Sequence, residues 1–367
     1  MFLCEAWLYW PDMTTQTEKK GRIPWGLLRI LLGFGLAAFF IHKIISDKLG
    51  EAGAMATFKD LLANASWPWM TMGVLTFGGL MCIGFFRWWL LLRVQRVNLP
   101  LLQIVRLGMI GNFFNMCIPG AVSGDVVKMV YVHRHAKGRT TEAVLAIMLD
   151  RVIGLAGLLV VVTVSCVLNY EFLKTADAQI GPMTIQEVTG VVGLACVCGI
   201  TGIVCLFFQN ALQKLPGVKP LIGLGERMLP KGLCETIGRL VVALELYKQR
   251  KVALLCALLL SIAVHTCTAL AMLAVARGIH EDQVKVSGYF LMTQISNTVS
   301  SIPVSPAGFG IRDIVVSEFM MAFGAAEAHA AVAPIFMTII IAFWYLQGSI
   351  FFAFSRTKQV SGEEGGE

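Results

Sequence analysis

The chain has 367 residues, of which 56% are hydrophobic and only 14% are charged, and its formal net charge is +7. An ordinary soluble domain of this length carries more charge on its surface, so the composition excludes that class. It predicts an integral membrane protein that crosses the bilayer several times.

Six stretches of the sequence reach the length of about 20 apolar residues that a transmembrane helix needs. They are Trp25 to Ile45, Trp67 to Leu92, Ala143 to Leu168, Val188 to Phe208, Val252 to Ala276 and Ala330 to Phe354. The predicted fold is therefore an all-α, polytopic helix bundle of about six full spans. We expect a cytoplasmic N-terminal segment (1–24) that is retained rather than cleaved, a single transmembrane domain (25–355) and a flexible C-terminal tail (356–367).

Two further apolar regions, Leu101 to Val132 and Val286 to Gly324, are interrupted by polar and helix-breaking residues. The interruptions are NFFNMCIPGAVSGD (112–125) and NTVSSIPVSPAGFGIRD (297–313). Non-helical backbone and charge at membrane depth are tolerated where they line a protein-enclosed or watery cavity, so these regions predict a substrate pathway.

The distribution of Lys and Arg predicts how the broken regions sit in the membrane. Positive charge is concentrated before the first span, after the second, in HRHAKGR (133–139), in residues 209–251 and at the C-terminus. The positive-inside rule makes these parts cytoplasmic, and each broken region then enters and leaves on one side. We expect re-entrant hairpins near 101–132 and 286–324, which could form an inverted repeat. Two kinked full spans are the alternative.

Residues 209–251 combine basic and apolar side chains, and the spacing of the apolar residues from Leu233 to Leu246 is helical. This pattern is typical of an amphipathic helix that lies on the inner leaflet and attracts anionic lipids. An ordinary positively charged cytoplasmic loop explains the same residues.

Charged and turn residues at membrane depth are the candidates for the substrate pathway. They are Arg106, Asn112, Asn115, Pro119, Gly120, Gly124, Asp125, Lys128, Asp150, Arg151, Asn297, Pro303, Pro306, Gly308, Gly310, Arg312, Asp313 and Glu318. An isolated ion at the bilayer centre costs about 2.5 to 3.5 kcal/mol, so each charge needs a partner or water. Asp125 and Lys128 are spaced to pair on one helical face, whereas the adjacent Asp150 and Arg151 point in different directions and need separate partners. These ions either hold the bundle together through salt bridges or hold an anionic headgroup through the arginines and helix N-termini.

The remaining reactive side chains predict no catalytic chemistry. The ten cysteines form no CxxC pair, and no motif for ATP hydrolysis, zinc proteolysis or dinucleotide binding is present. We therefore predict no enzyme activity, no metal, no cofactor and no nucleic-acid partner. His265 lies within a span, where a hydrogen-bonded interior residue and a proton-coupling residue are the two interpretations.

The run GNFFNMCIPGAVSGDVVKMVYVHRHAKGRTTEAVLAIMLDRVIGL resembles the first signature of the lysylphosphatidylglycerol synthase transmembrane family. SSIPVSPAGFGIRDIVVSEFMMAFG resembles the second signature. The matching positions are Asn115, Pro119, Gly124, Asp125 and Arg151 in the first run and Pro303, Pro306, Gly308, Gly310 and Asp313 in the second. Three departures are Ser123 where glycine is common, Asp313 where glutamate is usual, and a last span without an arginine near its start.

The family includes the flippase portion of the multiple peptide resistance factor, which moves aminoacylated phosphatidylglycerol between leaflets. The resemblance implies a multi-pass lipid translocase of the inner (cytoplasmic) membrane, with both termini cytoplasmic, which moves an aminoacylated phospholipid or a glycolipid. Membrane lipids are the expected partners, with a lipid-modifying transferase as a further one. In this interpretation Asp125 and Asp313 contact a cationic or hydroxyl-bearing group, and Arg106, Arg151 or Arg312 contacts a phosphate. The alternatives are an accessory subunit or enzyme that acts on lipid-linked sugars, and a small-solute secondary transporter.

Overall fold

The computed structural model describes residues 54–117, 123–135, 139–176, 178–180, 182–207, 250–300 and 310–353. The predicted span Trp25 to Ile45, the N-terminal segment 1–24, residues 209–249 of the basic segment and the tail 356–367 lie outside the described residues. The described helices are α1 (Ala54–Ala63), α2 (Trp67–Val94), α3 (Leu101–Cys117), α4 (Ser123–His135), α5 (Thr140–Leu168), α6 (Tyr170–Thr175), α7 (Ile185–Phe207), α8 (Lys251–Gly278), α9 (Val286–Ser300), α10 (Ile311–Ala322) and α11 (Glu327–Ala353). The strands β1 (Gln179–Ile180) and β2 (Met183–Thr184) form a short antiparallel hairpin between α6 and α7.

The prediction of an all-α polytopic membrane protein is confirmed. Helices α2, α5, α7, α8 and α11 are long and apolar enough to cross a bilayer, and they correspond to five of the six predicted spans. In hydrocarbon every backbone amide must be paired within its own segment, which is why these apolar runs are helical throughout. On α8 the apolar side chains of Val252, Leu255 and Leu259 are exposed on the outer surface, as expected for contact with lipid.

Both broken regions consist of two short helices that pack against each other. The first region forms α3 and α4, and the second forms α9 and α10. With a rise of 1.5 Å per residue, even the 17 residues of α3 span only about 26 Å, which is less than the hydrocarbon thickness of about 30 Å. In each region a hydrogen bond joins the two helices. The Asn115 side-chain oxygen of α3 accepts from the Gly124 amide of α4 (2.7 Å), and the Ser296 hydroxyl of α9 donates to the Arg312 carbonyl of α10 (3.1 Å).

Helices α2, α8 and α11 pack on one another, and the broken regions pack around them. Helix α11 contacts both α3 and α10, and α5 contacts α8 and α9. Close approach depends on glycine: the Trp344 ring of α11 lies where a Cβ at Gly78 would be, and the Trp344 indole donates to the Val74 carbonyl (3.0 Å). Helix α11 therefore contacts one helix of each broken region.

Candidate functional site

Asp125 is the centre of an ionic cluster between α4 and α5. Its carboxylate accepts two hydrogen bonds from Arg151, one from Nε and one from Nη2 (2.7 Å for Nη2), and Lys128 Nζ lies 3.5 Å from the same carboxylate. The predicted Asp125–Lys128 pair is therefore confirmed. The Asp125 side chain is only 4% exposed, whereas that of Arg151 is 52% exposed. Arg151 thus binds a buried acid with one edge of its guanidinium group and remains accessible.

Asp150 points away from Arg151, as its position one residue earlier on the helix predicts, and it binds Arg87 of α2. Arg87 donates to Asp150 from Nε (2.8 Å) and Nη2 (3.0 Å). Arg87 is buried. The sequence interpretation missed this residue, although a single arginine within the apolar span Trp67 to Leu92 was a usable signal. The pair joins α2 to α5 next to the Asp125 cluster.

The second signature builds a hydrogen-bond network at the N-terminus of α10. Gly310 has a φ of +89°, which an L side chain rarely adopts, and its amide donates to Asp313 (3.2 Å). The Asp313 carboxylate also accepts from Arg312 Nη2 (3.0 Å) and from the Thr338 hydroxyl of α11 (3.1 Å), and Arg312 donates to the same hydroxyl. Asp313 is 1% exposed, so its charge is committed to this network. Thr338 was also missed, because a threonine in an apolar span carries no particular signal.

A cavity of about 390 Å³ lies between these two groups of residues. Both Arg151 and Arg312 line it. The other polar residues in its wall are His265, Thr268, Thr293, Ser296, Asn297, Ser300 and Tyr345, and the rest of the wall is apolar. Among the described residues that line the cavity, none is acidic. The cavity therefore offers two cationic side chains and several neutral hydrogen-bonding groups.

Two residues of the cavity wall each have a buried polar atom with no partner among the described residues. These atoms are His265 Nδ1 and Ser300 Oγ. His265 Nε2 lies 3.1 Å from the Gly154 carbonyl and donates to it, so in the neutral ring Nδ1 is an acceptor. Both atoms have almost no accessible surface, so they face the surrounding protein and not the open part of the cavity.

Comparison with known families matches residues 26–347 to the lysylphosphatidylglycerol synthase TM region. The chain belongs to this family. Both signatures lie within the matched residues, so the resemblance seen in the sequence is confirmed. Comparison with curated proteins finds no match. The lysylphosphatidylglycerol synthase TM family is a membrane domain linked to lipid flipping or to lysylphosphatidylglycerol metabolism.

Within this family framework, the structure brings together only part of the predicted site. Arg151, Asn297 and Arg312 line the cavity, while Asp125, Lys128, Asp150 and Asp313 lie behind them in ion pairs. Gly111 and Gly124 bring α3 and α4 into contact, since a Cβ at Gly124 would overlap the Gly111 carbonyl.

The other candidate residues lie elsewhere. Arg106 is on the exposed face of α3 and has no ion-pair partner in the described part of the chain, while Asn112 and Glu318 are half-buried and do not line the cavity. Pro119, Gly120, Pro303, Pro306 and Gly308 lie outside the described residues.

Proposed function

We propose that this chain is an integral membrane lipid translocase that moves a lipid with a phosphate-bearing headgroup between leaflets. The observation that carries the proposal is the cavity that both Arg151 and Arg312 line, with no acidic residue among its described lining residues. Membership of a family linked to lipid flipping supports the same function.

The chemistry of the cavity suits a phosphate. Guanidinium groups bind phosphate through paired hydrogen bonds and keep their charge when they are buried. A polar path inside the protein lowers the cost of moving a charged headgroup through hydrocarbon, which otherwise leaves that charge without partners. The volume of about 390 Å³ accommodates a headgroup but not two acyl chains, so the chains remain in the surrounding lipid.

The short paired helices provide the way in. We propose that α3 with α4 and α9 with α10 are re-entrant hairpins, and that the headgroup passes between them. We also propose that the protein lies in the cytoplasmic membrane with both chain termini in the cytoplasm, as the positive-inside rule predicts. In this proposal the protein is not an enzyme, and it equilibrates lipid down its gradient. Arg312 and Arg151 act as the phosphate-binding residues on the two sides of the path.

The test is a leaflet-protection assay in proteoliposomes with an acyl-labelled fluorescent phospholipid and the membrane-impermeant reductant dithionite. The wild-type protein should allow dithionite to quench nearly all of the dye, whereas protein-free vesicles should retain the inner-leaflet half. Arg151→Gln and Arg312→Gln should each slow this loss of protection by at least about tenfold. Arg93→Gln is the matched control, because Arg93 is an exposed arginine at the end of α2 that does not line the cavity.

Two outcomes would contradict the proposal. The first is the absence of protein-dependent lipid movement with correctly folded wild-type protein. The second is equal movement by the Arg151, Arg312 and Arg93 variants, which would separate lipid movement from the cavity.

A further inference from the structure

We propose that the Tyr345 hydroxyl is a third phosphate-binding group of the cavity, a neutral hydrogen-bond donor that acts together with Arg151 and Arg312 on one anion. This inference rests on the proposed function and adds a residue to the same site. Three features carry it: the position of Tyr345 relative to the two arginines, the unused proton of its hydroxyl group, and the fixed place of its ring.

The first feature is that Tyr345 faces the same space as both arginines. It is half-buried on α11 and lines the cavity together with Arg151 of α5 and Arg312 of α10. The phenol group lies close enough to both guanidinium groups to interact with them electrostatically. An anion bound beside Tyr345 is therefore attracted by the two arginines as well.

The second feature is the proton of the Tyr345 hydroxyl. Phosphate oxygens accept hydrogen bonds, so a hydroxyl group donates to them only if its proton is not already committed. Thr268, Thr293 and Ser296 also line the cavity, but each donates to a backbone carbonyl, and Ser300 Oγ has almost no accessible surface. Within the described part of the chain, the Tyr345 hydroxyl makes no hydrogen bond, and its oxygen is not one of the buried atoms without a partner. It therefore reaches the open part of the cavity with a proton to donate.

Arg151 offers a matching set of donors. It binds Asp125 through Nε and Nη2, and its side chain is 52% exposed, so Nη1 remains for a ligand. A phosphodiester has two non-bridging oxygens, which allows Arg151 and Tyr345 to bind the same phosphate at different atoms. A neutral hydroxyl adds a hydrogen bond without a further positive charge, and a transported headgroup must be bound weakly enough to leave.

The third feature is that the Tyr345 ring is held in place. Its centroid lies 6.4 Å from that of the Phe77 ring of α2. The preceding residue, Trp344, fills the space beside Gly78 and donates to the Val74 carbonyl, so this turn of α11 is held against α2. A donor that is already positioned loses little conformational freedom when the ligand binds.

The experiment measures movement of acyl-labelled phosphatidylethanol, whose headgroup offers a phosphate and no hydroxyl, in proteoliposomes of the full-length protein. Tyr345→Phe removes one oxygen atom, and a lost hydrogen bond to a charged acceptor corresponds to about tenfold in affinity, so we expect movement about tenfold slower. The unfolding free energy in SDS titration should stay unchanged, because the hydroxyl bonds to no described residue. Tyr170→Phe is the matched control, since Tyr170 is an exposed residue of α6 that does not line the cavity, and it should change neither quantity. A lower unfolding free energy with an unchanged rate would give the Tyr345 hydroxyl a structural role and overturn the proposal.

Phosphorothioate lipids test whether the hydroxyl contacts the phosphate directly. Sulfur in place of one non-bridging oxygen is a poorer acceptor, and the two diastereomers of the analogue carry it at different positions. We expect the wild-type protein to move the diastereomers at rates that differ by at least about fivefold, and Tyr345→Phe to make the rates nearly equal. An unchanged ratio in folded Tyr345→Phe, or equal rates in the wild-type protein, would overturn the contact.

A double variant tests whether Tyr345 and Arg151 bind the same anion. Tyr345→Phe should slow an Arg151→Gln protein less than it slows the wild-type protein, because residues that share a ligand are not independent. Slowing by the same factor in both proteins would contradict a shared site.

The failure of this inference is distinguishable from the failure of the proposed function. Lipid movement that Tyr345→Phe leaves at the wild-type rate would overturn the role of Tyr345 while lipid translocation stands. No lipid movement by the folded wild-type protein would overturn the proposed function and this inference with it. A soluble phosphate ester carries the same anionic group, so uptake of glycerol phosphate into the same vesicles is measured as well. Uptake above that of protein-free vesicles, without lipid movement, would overturn a lipid headgroup as the ligand.

Discussion

The ion pair between Asp125 and Arg151 allows the structural and transport roles of one guanidinium group to be separated. The buried Asp125 carboxylate binds Arg151 through two hydrogen bonds and lies 3.5 Å from Lys128. Asp125→Asn removes the buried acid and leaves the largely buried Lys128 beside Arg151 without a counter-charge. Breaking a buried pair by removing one partner costs about 3 to 5 kcal/mol, and we expect a loss of unfolding free energy in that range.

Arg151→Gln has a different effect on the same cluster. Asp125 keeps Lys128 as its counter-charge, so the local charge is balanced and the main loss is the pair of charge-assisted hydrogen bonds. The expected cost is about 1.5 to 3 kcal/mol, which is less than for Asp125→Asn. Arg151→Gln should nevertheless slow lipid movement by at least about tenfold, because the cavity loses one of its two phosphate-binding cations.

The double variant Asp125→Asn/Arg151→Gln completes a double-mutant cycle with the two single variants. Its loss of unfolding free energy should be smaller than the sum of the single losses by about 1 to 3 kcal/mol, since the two residues interact directly. Lipid movement should remain as slow as in Arg151→Gln, because the second substitution does not replace the missing cation. Unfolding is measured by SDS titration of the purified protein, and lipid movement by the dithionite assay. Additive stability losses would refute the ion pair, and lipid movement in the double variant at the wild-type rate would refute the transport role of Arg151.

Two further predictions concern packing and the second ion pair. Gly124→Ala should lower the unfolding temperature and slow lipid movement, because the added Cβ overlaps the Gly111 carbonyl. Gly79→Ala is the control and should change neither quantity, because a Cβ there meets open space. Equal effects of the two substitutions would contradict this packing. Arg87→Gln should lower the unfolding free energy by about 3 to 5 kcal/mol, because Asp150 loses both described hydrogen bonds. Adding Asp150→Asn to that variant should restore part of the lost unfolding free energy, as measured by SDS titration. No restoration would show that the broken ion pair is not the cause of the loss.

The long helices could be predicted from the sequence because the signal for a membrane span is local. A run of apolar residues must be helical in hydrocarbon whatever surrounds it, and five predicted spans match helices within a few residues at each end. The division of each short region into two helices was visible for the same reason, although the predicted interruptions were too long: Asn112, Asn115 and Asn297 lie within helices α3 and α9. The divergence of Asp150 and Arg151 followed from the turn of about 100° per residue in a helix.

The partners of the charged residues could not be predicted, because they come from other helices. Nothing near Asp150 in the sequence identifies Arg87, and nothing near Asp313 identifies Thr338; the approach of α2 to α5 and of α10 to α11 determines both. The exposure of Arg106 could not be predicted from the sequence either. Helix α3 is apolar on most sides, so its sequence does not indicate which face is buried, and the structure leaves Arg106 exposed.

Blocking the cavity chemically tests most directly whether lipid headgroups pass through it. Thr268 lines the cavity on α8, so Thr268→Cys in a protein with its ten native cysteines replaced places a single thiol in the path. The same proteoliposomes are assayed before and after complete labelling with a charged methanethiosulfonate, with labelling confirmed by intact mass and the cysteine-free protein as the control. We predict that labelling stops lipid movement by the Thr268→Cys protein and leaves the control unchanged. Lipid movement at an unaltered rate after complete labelling would contradict the claim that this cavity is the path.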